Sequence, residues 1–322
     1  MLKYLVILLD DTSISYCHYE NRNTECRLMA LDDLKAGIFF AMKENLTIQF
    51  VYPDYDLPQE YKDAIHSIDH SKIVPAGSKE YGDVAVFNAW HELKEHALDK
   101  DKAYVIRTGK KEFFNNLATL KAALAEVARL NVVITDVESF TEEDFTQYKG
   151  CLDTLSDTIE SLYISGKSPQ LNILTDRMML DAMNNCNAGW ENITLAPDGR
   201  FYVCPAFYFV DEDEDFGLGK TKFSIGDLKT GLDIKNPQLY KLSHAPLCRN
   251  CDAYQCKRCV WLNRKTTYEV NTPSHEQCVV AHLERNASSD LLMNIRKHGT
   301  FLPDKEIKKI DYLDPIDVKK EW

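Results

Sequence analysis

The chain has 322 residues, a length that about two domains fill. Hydrophobic residues make up 44% of the sequence and charged residues 27%, which excludes a largely disordered chain, a collagen-like fibre and a polytopic membrane protein. The net charge of −12 disfavours nucleic acid as a partner, because an acidic surface repels phosphate groups. The apolar run Tyr4–Leu9 is shorter than the roughly 20 residues of a membrane span, and Asp10 follows it at once. We therefore predict neither a membrane segment nor a signal peptide, and we expect a cytoplasmic location.

The first part of the chain, residues 1–180, alternates short apolar runs with amphipathic stretches. Apolar residues repeat every three or four positions over 117–130 and over 148–162, and Thr141 is a predicted N-cap for the second helix. Strands that alternate with helices predict an α/β fold with a parallel sheet, either a degenerate partial βα barrel or an open sheet. The predicted strands are Lys3–Leu9, Thr47–Tyr52, Lys72–Pro75, Val84–Phe87, Ala103–Arg107, Asn131–Asp136 and Gln170–Thr175.

The rest of the chain has a different pattern of short strands, turns and cysteines. The turn signal Pro197-Asp198-Gly199 lies between two short apolar runs and predicts a β-hairpin. The acidic run Asp211–Asp215 is interpreted as a solvated loop. A charged tail begins near Ala287 and contains one predicted helix, Ser288–Lys297. We therefore divide the chain into an α/β domain at 1–180, a cysteine-rich domain at 181–286 and a charged tail at 287–322.

Seven of the ten cysteines lie in the second domain. Clustered cysteines in a cytosolic protein bind metal more often than they form disulfides. Only four residues separate Cys251 from Cys256, whereas structural zinc sites usually separate their two ligand pairs by about a dozen residues or more. Tight runs of this kind favour iron–sulfur clusters, with a compact zinc site as the alternative. The seven are Cys186, Cys204, Cys248, Cys251, Cys256, Cys259 and Cys278.

This pattern resembles the SPASM domain, the cysteine-rich C-terminal extension of many peptide-modifying radical S-adenosylmethionine (SAM) enzymes. The similarity covers Cys186 to His282 and includes the Gly199 hairpin and the segment Phe223–Leu228. The central run is shorter here, with four and two residues where the family has five and three. The resemblance implies two auxiliary 4Fe–4S clusters. It assigns Cys186, Cys204 and Cys259 to the first cluster, and Cys248, Cys251, Cys256 and Cys278 to the second.

The three-cysteine motif of radical SAM enzymes is missing after the first predicted strand. Asp10, Ile14 and Cys17 stand at the places of its three thiolates. We therefore predict that this chain does not generate a radical alone, and S-adenosylmethionine is not an expected cofactor. A SPASM-like module that follows a domain without this motif resembles the CXXX repeat peptide maturases. The N-terminal segment Leu2–Ser13 also resembles theirs.

The resemblance implies an iron–sulfur accessory maturase that takes part in modifying a ribosomally synthesised peptide with repeated cysteines. Its clusters would transfer electrons or bind a substrate thiolate. Its partners would be the precursor peptide and either a radical SAM maturase or an electron donor. The alternative is a non-enzymatic adaptor, stabilised by zinc or by clusters, that presents a peptide to a partner radical SAM enzyme. No catalytic residue is identified from the sequence.

Overall fold

The structure is a computed structural model that describes residues 2–210 and 223–307. The acidic run Asp211–Asp215 and the last part of the charged tail lie outside the described residues. The strands are β1 (Tyr4–Leu8), β2 (Thr47–Val51), β3 (His70–Pro75), β4 (Val84–Phe87), β5 (Ala103–Thr108), β6 (Arg129–Ile134), β7 (Gln170–Leu171), β8 (Asn192–Leu195), β9 (Arg200–Tyr202), β10 (Ser224–Asp227) and β11 (Gly231–Leu232). The helices are α1 (Leu31–Lys43), α2 (Gln59–His66), α3 (Trp90–Glu95), α4 (Lys110–Asn115), α5 (Leu117–Leu124), α6 (Glu142–Ile164), α7 (Asp176–Met179), α8 (Pro205–Phe209), α9 (Val260–Thr267) and α10 (His275–Arg296).

The chain forms two compact units from segments that are not contiguous in sequence. Unit 1 comprises Met1–Phe87, Asn187–His244 and Val260–Leu262. Unit 2 comprises Asn88–Cys186, Ala245–Cys259 and Asn263–Trp322. The predicted division at residues 180 and 286 stays a prediction. Within the described ranges, no helix combines the length and the hydrophobicity that crossing a membrane requires.

Unit 1 is built on a sheet with the strand order β11-β10-β9-β8-β1-β2-β3-β4. Strands β8, β1, β2, β3 and β4 run parallel to one another, whereas β9, β10 and β11 add an antiparallel extension. Strand β1 pairs with β2 on one side and with β8 on the other. Leu5, Ile7 and Leu8 are completely buried there, which is why this strand is an unbroken apolar run.

Unit 2 contains the three parallel strands β5, β6 and β7, in that order. Its longest helices are α6 and α10, which pack against each other. Helix α6 begins at a capping box, because Thr141 accepts a hydrogen bond from the amide of Asp144 while the Asp144 carboxylate accepts one from the amide of Thr141. Tyr148, Leu152, Leu155 and Ile159 form its buried stripe, as the apolar spacing predicts.

The α/β class with a sheet of mainly parallel strands is confirmed, and so is the hairpin at Gly199, now strands β8 and β9. Two predicted helices are wrong at their ends. The helix predicted from the apolar stripe over 117–130 ends at Leu124, and Leu130 lies instead in β6. The predicted helix Ser288–Lys297 is the second half of α10, which already begins at His275 and therefore carries Cys278.

Strands β10 and β11 form a hairpin that begins within the segment Phe223–Leu228. Two of its glycines have a positive φ. A Cβ atom at Gly226, where φ is +128°, would meet the carbonyl oxygen of Gly231 at 2.0 Å. A Cβ atom at Gly231, where φ is +81°, would meet no atom within 4 Å. Gly226 is therefore required because the backbone of Gly231 lies too close for a Cβ atom. Gly231 is required only by its left-handed backbone conformation.

We expect Gly231→Ala to lower the free energy of unfolding by about 1 kcal/mol, because only backbone strain is added. We expect Gly226→Ala to lower it by at least about twice as much, because the clash is with backbone that has to move. Urea unfolding of the two variants measures the difference, and equal losses would contradict this explanation of the hairpin.

Candidate metal centre

Four of the predicted ligands line one cavity within unit 2. The cavity has a volume of about 270 Å³, and its wall includes His282 as well as the cysteines. Three of the thiols come from the loop at 245–259, and the fourth comes from the first turn of α10. The four are Cys248, Cys251, Cys256 and Cys278, which are the residues that the resemblance assigns to the second cluster.

The loop reaches this arrangement through consecutive tight turns. The amide of Cys251 donates to the carbonyl of Cys248 at 3.0 Å, and the amide of Cys256 donates to the carbonyl of Ala253 at 3.0 Å. Two further amides point at sulfur atoms: Ala253 N lies 3.5 Å from Cys251 Sγ, and Arg258 N lies 3.4 Å from Cys256 Sγ. Amides that donate to cysteine sulfur stabilise the thiolate and are one of the means by which proteins tune iron–sulfur clusters.

Helix α10 supplies the opposite wall of the cavity. Ser274 caps this helix by accepting a hydrogen bond from the amide of Gln277 at 3.2 Å. Cys278 and His282 follow four positions apart, so they share one face of the helix. His282 Nε2 lies 3.7 Å from Cys251 Sγ. The sequence analysis did not identify His282 as a site residue, although its spacing from Cys278 was visible.

An ion cluster anchors the loop to two helices of unit 2. Asp252, the residue after Cys251, accepts hydrogen bonds from Arg285 Nη2 at 2.8 Å and from Arg285 Nε at 3.1 Å. It also accepts one from Arg177 Nη2 at 3.2 Å. Arg285 on α10 is 2% exposed and Arg177 on α7 is 3% exposed. One carboxylate therefore balances two buried guanidinium groups beside the cysteines.

The thiols in the cavity are held in a setting that disfavours their charged form when no cation is near. Burial raises the pKa of Cys256 to about 12 and the pKa of Cys248 to about 11. A bound metal reverses this preference, because the cation favours thiolate as its ligand. The site therefore couples metal binding to the release of protons.

Arg258 lies among cysteines of both predicted sets. Burial lowers the pKa of its guanidinium. Four nearby cysteines raise this pKa, namely Cys248, Cys186, Cys256 and Cys259. Its Nε donates to Asn185 Oδ1 at 2.7 Å, and the neighbouring Cys186 amide donates to the carbonyl of Lys257 at 2.8 Å. Cys186 and Cys259 are thus both close to this arginine.

Cys204, the remaining predicted ligand, lies in unit 1. It is the N-cap residue of α8 and follows the hairpin of β8 and β9. The assignment of Cys186, Cys204 and Cys259 to a common cluster stays a prediction.

Four cysteines and one histidine around the unit 2 cavity are donors that suit zinc or an iron–sulfur cluster. Among the described residues, no group of three or more His, Cys, Asp or Glu side chains converges on one metal position. Zinc held by four thiolates at about 2.3 Å needs sulfurs only about 4 Å apart. A cubane cluster instead distributes its thiolates around a larger body. None of the ten cysteines, all of which are described, is in a disulfide.

In unit 1, the segment after β1 is held by carboxylates. Asp10 is completely buried and accepts hydrogen bonds from Thr12 N at 2.7 Å and from the Tyr55 hydroxyl at 2.8 Å. The next residue, Asp11, accepts a hydrogen bond from the Tyr208 hydroxyl and pairs with Arg27 Nε at 3.0 Å. The residue that the resemblance places at the first cysteine of the radical SAM motif is thus a buried, hydrogen-bonded carboxylate.

Comparison with known proteins gives a likeness of fold. No family model matches the chain, and no curated protein matches it. The structure of native anSMEcpe with bound AdoMet has a TM-score of 0.60 and 10% sequence identity, over 91% of this chain and 98% of that chain. Native anSMEcpe with bound AdoMet and the Cp18Cys peptide has a TM-score of 0.52 and 12% identity, over 92% and 99% of the two chains. At such identities the likeness concerns the fold alone.

We expect Asp252→Asn to lower the free energy of unfolding by about 3–5 kcal/mol, because it leaves two buried guanidinium groups without their anion. The matched control is Asp233→Asn, which removes an exposed partner of Lys235 and changes stability by less than about 1 kcal/mol. Thermal and urea unfolding measure both values, and equally small losses would show that Asp252 does not anchor the loop.

We also expect a pH dependence from Glu284 on α10, which accepts hydrogen bonds from the Tyr148 hydroxyl at 2.7 Å and from Gln255 Nε2 at 3.3 Å. Burial raises the pKa of this carboxyl from 4.5 to about 7. Between these two pH values the folded state retains a proton that the unfolded state has lost. Stability therefore falls as the pH rises through this window, by about 3 kcal/mol in total, and the loss is complete above pH 7.

Glu284→Gln removes this titration, so its unfolding midpoint changes less between pH 5 and pH 8 than that of the wild type. Glu95→Gln, which alters an exposed carboxyl on α3, leaves the wild-type pH dependence in place. A Glu284→Gln profile parallel to the wild-type profile would contradict the assignment.

Proposed function

We propose that the protein is an iron–sulfur accessory maturase in the modification of a ribosomally synthesised peptide with repeated cysteines. The observation that carries this proposal is the common cavity of Cys248, Cys251, Cys256 and Cys278, since these four were grouped by their resemblance to a SPASM cluster. The proximity of Cys186 and Cys259 to Arg258 supports the set that the resemblance assigns to the first cluster, which Cys204 would complete.

In this proposal each ligand set holds one 4Fe–4S cluster. When bound, the clusters supply electron transfer or a site for a substrate thiolate at an iron that lacks a fourth protein thiolate. The chain's own residues bury the thiols, present amides to Cys251 and Cys256, and place His282 beside Cys251. Loop and helix are held together by Asp252, which keeps the thiols on a common wall.

We assign the S-adenosylmethionine chemistry to a partner radical SAM enzyme and not to this chain. The likeness of fold to anSMEcpe, solved with AdoMet and with a peptide, supports a common architecture for peptide modification. Asp10, Ile14 and Cys17 supply one thiol where that chemistry needs three. The proposed location is cytoplasmic, where the thiols stay reduced.

The test uses cysteine variants of protein purified without oxygen. Cys256→Ala and Cys278→Ala each remove one of four ligands, so we expect about four of about eight irons, and the same number of sulfides, to be lost. Cys151→Ala is the matched control, because this thiol is buried on α6 and belongs to neither predicted set.

Full iron content in Cys256→Ala and Cys278→Ala would contradict the assignment of these ligands. If the wild type instead contains zinc, and the same variants lose zinc, the adaptor alternative with a structural metal replaces the maturase.

A further inference from the structure

We propose that Arg258 is a positioning residue shared by the two ligand sets, and that its buried charge raises the reduction potentials of both clusters. This inference rests on the proposed function, because it requires that both clusters are bound. The resemblance that assigned the ligands attached no role to Arg258.

The first observation is the position of this residue relative to the unit 2 cavity. Arg258 lines the wall of the cavity together with Cys248 and Cys256, and its amide lies 3.4 Å from Cys256 Sγ. Its side chain is 1% exposed, so solvent hardly screens its charge. An arginine keeps this charge at every working pH.

The second observation is the contact of the same side chain with the other ligand set. Arg258 Nε donates to Asn185 Oδ1 at 2.7 Å, and Asn185 directly precedes Cys186. Cys259 directly follows Arg258 in the chain. The amide of Cys186 donates to the carbonyl of Lys257, which holds the Cys186 segment against the loop that carries Arg258. Arg258 therefore lines the cavity of one set, and its side chain is bonded to the residue that precedes a cysteine of the other.

The third observation is the backbone at this residue. Arg258 has a φ of +43°, a left-handed conformation that disfavours residues with a Cβ atom. Glycine and asparagine tolerate this conformation better than arginine, so the local backbone does not explain the side chain. Burial of a full charge in such a position points to a role for the charge itself.

The expected effect follows from electrostatics. Each cluster with its thiolates is anionic, and it becomes more negative by one charge when it accepts an electron. A nearby positive charge favours the reduced form, so its removal makes reduction harder. We expect Arg258→Gln to lower the equilibrium constant for one-electron reduction of each cluster by about tenfold or more, a shift of about 59 mV to lower potential.

The experiment compares Arg258→Gln with Arg258→Lys in anaerobically purified protein. Iron and sulfide are counted first, and each cluster is then titrated with dithionite and redox mediators, followed by visible and electron paramagnetic resonance spectroscopy. Both variants keep a Cβ atom, so the backbone strain is the same, and only Arg258→Lys keeps the charge. Arg107→Gln is the control, since Arg107 is buried in unit 2 beside Asn88, at a second cavity none of whose described lining residues is cysteine.

The proposal predicts lower potentials for both clusters in Arg258→Gln, and near wild-type potentials in Arg258→Lys and Arg107→Gln. If Arg258→Gln does not retain clusters, Arg258→Lys becomes the deciding variant. An Arg258→Lys protein that retains clusters at wild-type potentials supports the role of the charge. An Arg258→Lys protein that has lost its clusters overturns that role. Unshifted potentials in an Arg258→Gln protein with full iron overturn this inference and leave the proposed function intact. A wild type without iron overturns both.

Discussion

The ion cluster around Asp252 is the interaction on which the candidate metal centre depends. The loop at 245–259 contains no helix or strand, so hydrogen bonds of a regular element do not determine its shape. Its carboxylate is bound by Arg285 from α10 and by Arg177 from α7. Because both guanidinium groups are buried, a loop that moves away deprives two charges of this carboxylate, which is costly. This constraint keeps the three thiols of the loop opposite the one on α10.

The sequence predicted the parts of the fold in which local pattern and burial agree. Strand β1 is buried on both faces and is apolar throughout, and α6 carries both an apolar stripe and a cap at Thr141. Helix α10 was predicted too short for a physical reason. Its buried face includes Gln277, Glu284 and Arg285, so the usual apolar period is interrupted. Glu284 and Arg285 hydrogen-bond within the protein.

The prediction of one helix over 117–130 was wrong for the opposite reason, since this segment has a helical period but does not form a single helix. Leu130 satisfies the spacing, yet it is buried in β6, where it pairs with Tyr104 and Leu171. Cysteine spacing predicted the ligand types without placing them in space. The cavity wall also includes His282 and Arg258, neither of which belongs to the predicted cysteine pattern.

The protein combines a fold similar to that of an AdoMet-bound protein with different chemistry after β1. Buried carboxylates and hydroxyl groups hold that segment in unit 1, whereas the cysteines concentrate elsewhere in the chain. In the proposed function, the redox chemistry belongs to the cysteine-rich segments and the radical chemistry to a partner. Among these thiols, Cys251 lies beside His282 and Cys256 accepts a hydrogen bond from the amide of Arg258.

The central claim is that the seven cysteines from Cys186 to Cys278 hold two iron–sulfur clusters. The most direct test is the iron, sulfide and zinc content of protein purified without oxygen, with the visible spectrum recorded before and after dithionite. The account predicts about eight irons and eight sulfides per chain and a brown absorbance that bleaches on reduction. One or two zinc ions per chain in a colourless protein would contradict it.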